Sequence, residues 1–594
     1  MKIIYKKTGI YLFLAFGILS CNDEFLERKP IDSLSNESFW KSENQLAVYN
    51  NNLYNLTKED RQSVILMGHD ALINSTDASY TYLDAFSDNL ATGTNSRTNR
   101  FKDVRAGVHI PGNSQLFGYR GFDILRAINV GLDNMAVSTV EQSIKDKYIG
   151  EAKMFRAWWF YDKVSKFGDM QWVDHEVGVK EDDILYGKRD PREYVMDKVL
   201  LDINFAIAKL PITWNDKNAP GRLDHWDALA LKSRICLFEG TWRKYHGGTN
   251  ANLWLQEAAS ASKELIEKGP YSLYKTGDPL HDYNATHRVL KDLTGNKEII
   301  HWVKYETGVR NNNVMKYYLY YYGNATKDVV DDYLCDDGLP ITLSPRAVVN
   351  TKIEDVFVNR DPRLRQTVLH PLDQTYYQYN QGSGDAYPRV TGMTNLGDEP
   401  STTGYHVIKA YNRAAHLGQN QAETPGIVFR LGEIYLNYAE AIAELGTITI
   451  GDLDATINKL RDRVGMPHLG LNPPMDPKYA ADGISSLLVE IRRERRIELF
   501  SEGFRYDDLR RWKQGKKLEK PAYGILWDAA AIARYKGAKV KFKVLADGKP
   551  YIDVFQGTNW ATPVFDESKH YLWPIPLSSL GQNPNLGQNP GWNN

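Results

Sequence analysis

The sequence predicts a mostly α-helical chain, a solenoid of consecutive helix pairs carrying large irregular insertions. Two observations predict it. Apolar residues recur at helical spacing in eight segments that fall into pairs, and two long stretches between them, residues 61–115 and 270–425, are rich in Gly, Asn, Thr, Asp and Tyr instead.

The eight helices are expected at about 39–57, 117–136, 140–167, 190–210, 222–245, 251–268, 427–445 and 451–464. In the fifth, Trp226, Leu229, Ser233, Cys236, Leu237 and Gly240 step by three and four, with small residues that allow close packing. Leu431, Ile434, Tyr435, Tyr438, Ile442 and Leu445 repeat the pattern, and Leu453, Ile457, Leu460 and Val464 repeat it again. Paired helices of this length, with Ala and aromatics at the contacts, suggest tetratricopeptide-like units, although long insertions blur the 34-residue period of such repeats. Within the insertions, Glu298–Tyr305 and Lys316–Tyr322 read as strands and Asn89–Asn99 as a loop. Loops held on a rigid scaffold are where binding groups concentrate, so the ligand is expected there.

Composition narrows the function. The 594 residues carry 73 Lys+Arg against 74 Asp+Glu, a net charge of −1, which argues against a nucleic-acid binder. Tyr (36) outnumbers Phe (20), and rings with a polar tip suit half-wet clefts as well as cores. Of the cysteines, Cys236 and Cys335 read as free thiols, since no C-x-x-C pair offers zinc or redox chemistry.

The amino terminus sets the expected compartment. Lys2, Lys6 and Lys7 precede the apolar run Ile10–Leu19, too short to span a bilayer, so residues 1–20 read as a secretory signal. Gly17-Ile18-Leu19-Ser20-Cys21 resembles a bacterial lipobox, which makes Cys21 the expected lipid attachment site. Asn22, Asp23 and Glu24 then resemble the surface-export signal of Bacteroidetes lipoproteins. A multiply acylated cysteine anchors a protein stably without a transmembrane helix.

Motifs along most of the remaining chain resemble one family. Glu151–Val173 (EAKMFRAWWFYDKVSKFGDMQWV) resembles a helix of the SusD/RagB family, with Gln171 where the family carries Pro. Cys21–Pro30, Asn359–Leu364 (NRDPRL), Arg430–Ala441 (RLGEIYLNYAEA), Leu460–Pro467 (LRDRVGMP), Arg493–Trp512 (RERRIELFSEGFRYDDLRRW) and Tyr571–Trp592 follow in family order. The resemblance implies one unit over residues 21–594: four tetratricopeptide-like helix pairs packed against an irregular, loop-rich ligand-binding half with a few short strands. It further implies an outer-membrane, cell-surface lipoprotein that binds glycan and delivers it to a SusC-like TonB-dependent transporter. Peptide binding, as in RagB-like members, is the alternative.

No enzyme motif is present. There is no His-Glu-x-x-His, Gly-x-Ser-x-Gly, Walker A or Gly-x-Gly-x-x-Gly, so no cofactor is expected and the chain reads as a binder. A glycosidase needs only two carboxylates about 5 to 9.5 Å apart, which a sequence leaves open. Asp331, Asp332, Asp336 and Asp337 have calcium-ligand chemistry but read as a solvated turn around Gly338. The charged run from Glu494 through Arg495, Arg496 and Glu498 to Arg505, Asp507, Asp508, Arg510 and Arg511 reads as an ion-pair lattice, with Gly503 allowing the turn between its halves. Arg360-Asp361-Pro362-Arg363 reads as a turn-starting Asp-Pro pinned by arginines. For a sugar, aromatic platforms beside Asn and Arg suffice. In a strand over 317–322, Tyr318, Tyr320 and Tyr322 share one face, and these are the first candidates. Tyr80, Tyr82 and Phe101, flanking the loop that holds Asn95, Arg97 and Arg100, are the second set.

Overall fold

The computed structural model describes residues 39–55, 67–69, 80–93, 99–110, 118–215, 220–312, 314, 324–373, 401–412 and 422–592. Its helices follow the expected pairs. They are α1 (Glu43–Asn55), α2 (Phe122–Val137), α3 (Gln142–Phe167), α4 (Arg192–Lys209), α5 (His225–His246) and α6 (Ala251–Lys268). After the second insertion, with its short helices α7 (Lys327–Asp332) and α8 (Pro362–Thr367), come α9 (Leu431–Glu444), α10 (Ile450–Ala455), α11 (Ile457–Arg463), α12 (Ser486–Glu498) and α13 (Arg505–Arg511). Each of α2 through α6 packs on its sequence neighbour, and α9 joins the array through α6 and α5.

Helix α3 is buried on nearly every side over its second half, Phe155, Trp158, Trp159 and Phe160 together with charged Arg156 and Lys163, so it runs through the core rather than along the surface. The Trp159 indole donates to the Gly121 carbonyl, which satisfies its one polar atom. Helix α5 starts at a capping box, in which the Asp224 carboxylate accepts from the Trp226 and Asp227 amides while Asp227 accepts from the Asp224 amide. The small residues expected at its contacts do pack closely. A Cβ at Gly240 would lie 2.9 Å from Leu255 of α6, and Ser233 meets Ser262 of α6 at 2.7 Å and Asn437 of α9 at 2.9 Å.

Two expected helices differ in detail. The segment 427–445 divides because Gly426–Arg430 is a strand, β2, antiparallel to β1 (Ile299–Val303); β1 is the strand read at 298–305. The segment 451–464 breaks at Thr456, whose hydroxyl bonds back to the Asp452 carbonyl and so competes with the helix ladder. A second small sheet, β3 (Tyr523–Leu526), β4 (Phe542–Val544) and β5 (Pro550–Asp553) in the order β3–β5–β4, has no counterpart in the sequence reading. The second strand read at 316–322 lies outside the described residues. Cys236 and Cys335 are free and buried.

Candidate functional site

The site begins with the charged run, because that run places everything else. Helix α12 is buried from Leu488 to Glu498, with four arginines and three glutamates in that span. Such burial is tolerable only if each charge meets an opposite one. Glu498 accepts from Arg430 of β2 (2.9 Å), Arg463 of α11 (2.6 Å) and Arg363 of α8 (3.2 Å). Glu440 of α9 takes Arg511 and the Trp512 indole (2.6 Å). Burial opposes ionisation of Glu440, but the Arg511 guanidinium and then Arg495 hold its pKa down to about 2. After α12 the chain turns through Gly503, at φ 87°, a left-handed conformation in which glycine carries no Cβ penalty.

Arg496 carries the lattice outward. It donates to Asn89 (2.8 Å) and to Asp328 (2.9 Å), and it also contacts Asp332. Arg505 forks onto both oxygens of Asp88 at 2.8 and 2.9 Å. Residues 84–89 of the first insertion and α7 of the second are thereby fixed to the same helix. Asp84 accepts from Asn89 (2.9 Å) and the Ser501 amide (2.7 Å), yet burial still pushes its carboxyl up to about 6.

Next to these anchors the two insertions interlock in a loop frame. Leu90 bridges Ala325, the Ala91 amide donates to Asn324 O (2.8 Å), and Thr402 bonds both Ala91 O (2.9 Å) and Asn324 Oδ1 (3.2 Å). Asn324 also pairs with His406, Asn312 with Ala422 and Val368 with Val407. On the near side, His69 meets the Pro425 carbonyl (3.0 Å) and the Tyr305 hydroxyl donates to His69 O (2.5 Å). Residues adjoining segments 94–98, 315–323, 374–400 and 413–421 are thus held side by side by backbone bonds.

The expected site residues relate to this frame as follows. Cys21, Asn95, Arg97, Tyr318, Tyr320 and Tyr322 lie outside the described residues. Tyr80 and Tyr82 fall on the 3-10 helix Tyr80–Phe86, and Arg100 on the short helix Asn99–Arg105. Phe101 is a correction: that helix turns it inward with Val104, and it is 0% exposed, 4.5 Å from the Phe86 ring. It is a core residue, not a sugar platform. The acidic group is corrected too. Asp332 is buried among Lys478, Arg493 and Arg496 rather than solvated, Asp331 pairs with Lys327 (2.6 Å), and Asp336 pairs with Arg346 (2.5 Å). Asp337 does sit in the turn at Gly338, accepting from Ser344 (2.6 Å). Among the described residues no group of three or more His, Cys, Asp or Glu is placed to hold a metal ion. Asp84, Asp88 and Asn89 were missed, because nothing in a short polar run marks it as the partner of arginines four hundred residues away.

Residues 293–592, half of the chain and the half that contains most of the lattice and the frame, match the model of the SusD family. The chain belongs to the SusD family. Along its whole length it is similar to SusD-like protein P2 of Formosa agariphila, at 23% identity over 99% of both chains. A SusD-like protein of Bacteroides ovatus is 21% identical over 99% of this chain and 98% of its own. Among solved structures, a SusD-like carbohydrate-binding protein from Bacteroides fragilis superposes with a TM-score of 0.70 at 22% identity, covering 92% of this chain and all of that one. A laminarin-binding SusD-like protein superposes at 0.57 and 19% identity, over 93% of this chain and all of that one. At these identities the superpositions establish a shared SusD fold, mostly helical with few strands.

Proposed function

We propose that this SusD-family chain is an outer-membrane lipoprotein, anchored through Cys21 and exposed at the cell surface. In this reading it binds oligosaccharide or polysaccharide at the loop frame without cleaving it, and delivers it to a SusC-like TonB-dependent transporter. The observation that carries the reading is the frame itself. Two insertions distant in sequence, the second of them Tyr-rich, are tied together at their ends and locked to α12 and α13 by polar contacts and ion pairs, a rigid base for loops that contact an extended ligand. The carbohydrate- and laminarin-binding neighbours of the same fold support glycan as the ligand class. Tyr318, Tyr320 and Tyr322, with Tyr80, Tyr82, Asn95, Arg97 and Arg100, remain the proposed contacts; Phe101 is removed from that set.

Calorimetry over a glycan panel that includes laminarin, with analysis of reducing ends, tests this. Each lost stacking ring is worth about 1 kcal/mol, so changing Tyr318, Tyr320 and Tyr322 together to Ala should weaken binding roughly 100-fold. Unchanged affinity would remove this face from the site. Oligosaccharide release that disappears on changing a carboxylate pair would make the protein an enzyme instead.

A further inference from the structure

A cavity of about 170 Å³ lies between α3, α5, β2, the turn that leads into α13, and Leu83 and Phe86 of the 3-10 helix Tyr80–Phe86. Its walls are of two kinds. Trp158, Phe238 and Phe504 supply ring surfaces, while Tyr161 and Asp162 of α3 and Asp507 of α13 supply polar groups. These three residues are only partly covered.

Most charges in the wall are already spoken for. Arg234 pairs with Glu433 at 2.7 Å, Arg430 with Glu502 at 2.6 Å and Asp508 with Arg495 at 2.8 Å. Asp162 is held by lysines on both oxygens, Lys166 on one and Lys163 at 4.0 Å from the other, which is closed off from the cavity. Asp507 is neutralised but not filled. Asp507 takes Arg510 at 2.8 Å on one oxygen. The Tyr161 hydroxyl bonds to none of the described residues.

An open acceptor on a carboxylate that already has a counter-ion calls for a neutral donor. An ammonium group would enter beside Lys166 and Arg234 with no unpaired charge to repay its desolvation. A hydroxyl donates to a carboxylate with no change in net charge, and the C–H face of a sugar ring suits the aromatic walls. At about 10–15 Å³ per water the cavity of about 170 Å³ has room for roughly 11 to 17 waters, the scale of one sugar ring.

We propose that this cavity is a second ligand site, taking a single neutral polyol the size of a monosaccharide, with Tyr161 and Asp507 as its hydrogen-bonding groups. It uses none of the side chains proposed to contact glycan at the loop frame, though Leu83 and Phe86 of its wall share a 3-10 helix with Tyr80 and Tyr82.

The test titrates the mature protein with D-glucose, D-galactose and D-xylose, and with methylamine as the cationic probe, by calorimetry and ligand-observed NMR. At least one sugar should bind saturably. Tyr161→Phe, which deletes only the hydroxyl, should weaken it about ten-fold, and Asp507→Asn should weaken it as well. The triple change of Tyr318, Tyr320 and Tyr322 to Ala should leave this binding intact, which separates the cavity from the loop frame. The proposal is overturned if no monosaccharide binds, if neither cavity variant alters binding, if methylamine binds in place of the sugars, or if soaked crystals show only water in the cavity.

Discussion

Removing the charge of Glu498 while keeping its shape is the sharpest test of the lattice. Glu498 is fully buried, and burial opposes its ionisation, yet Arg463, Arg430 and Arg363 hold its carboxyl well below the usual range. Around it Arg363, Arg430, Arg461, Arg463 and Lys409 are matched one for one by Asp361, Glu298, Glu494, Glu498 and Glu502. In Glu498→Gln the match fails by one positive charge. The amide retains one acceptor for the two guanidinium groups on Oε1 and turns a donor toward Arg363, or the reverse. No arginine is left bare, since Arg463 keeps Glu298 (3.1 Å) and Arg363 keeps Asp361 (2.8 Å), so the loss belongs at the level of a broken buried pair, about 3–5 kcal/mol. Urea unfolding at pH 7.5 reads it, and combining Glu498→Gln with Arg463→Gln should recover part of it, because the second change removes the surplus charge. A loss under about 1 kcal/mol, or strict additivity of the two variants, would refute the lattice argument.

Stability should also fall between pH 6.5 and pH 4, before the paired carboxylates titrate. Burial holds His69, His246 and His570 down at about 4, and His109 and His287 well below their ordinary value. Their folded pKa values lie below the unfolded value near 6.5, so the unfolded chain takes up protons first and the loss grows as pH falls. Asp84 and Asp224, which burial raises to about 6 and about 8, work the other way, two groups against five. For His69, 3% exposed, the full shift corresponds to about 3 kcal/mol. Flat urea midpoints from pH 7 to pH 5 would contradict this, and His69→Gln should flatten the slope. At the other end of the chain, Cys21→Ala should release the protein from the membrane fraction; a variant that stays there and still carries lipid by mass spectrometry would end the anchor reading.

The helices were legible because burial imposes a period, and a period survives in one sequence. Trp226, Ser233 and Gly240 mark the inner face of α5 with no knowledge of α6. The lattice was legible by kind alone. An Arg- and Glu-rich run that must form a helix and a turn announces internal pairing, but Arg363 meeting Glu494, or Arg496 meeting Asp88 and Asp332, joins residues that no local pattern relates. Hence the Asp331–Asp337 group read as solvated, and the Asp361 turn as separate from the lattice that encloses it. Phe101 misled for a related reason. An aromatic residue beside a polar loop has the composition of a platform, and only the helix phase, which pairs it with Val104, decides that it points inward.

That so many charges are buried here is itself an argument about what the core must do. Apolar packing is strong but non-directional, and an apolar replacement of a buried ion pair is often as stable. Guanidinium forks fix distance and angle together. Arg496 reaches Asn89 in the first insertion and Asp328 and Asp332 in the second, and Arg505 clasps Asp88 from the far side of the Gly503 turn. One helix therefore sets the relative position of two insertions that share no sequence continuity. A binding surface made of loops depends on that position more than on total stability, and the Arg496 and Arg505 forks supply it; α5 and α6, by contrast, meet mostly through apolar and small side chains, with Ser233–Ser262 (2.7 Å) and Lys232–Glu257 (2.5 Å) as polar links.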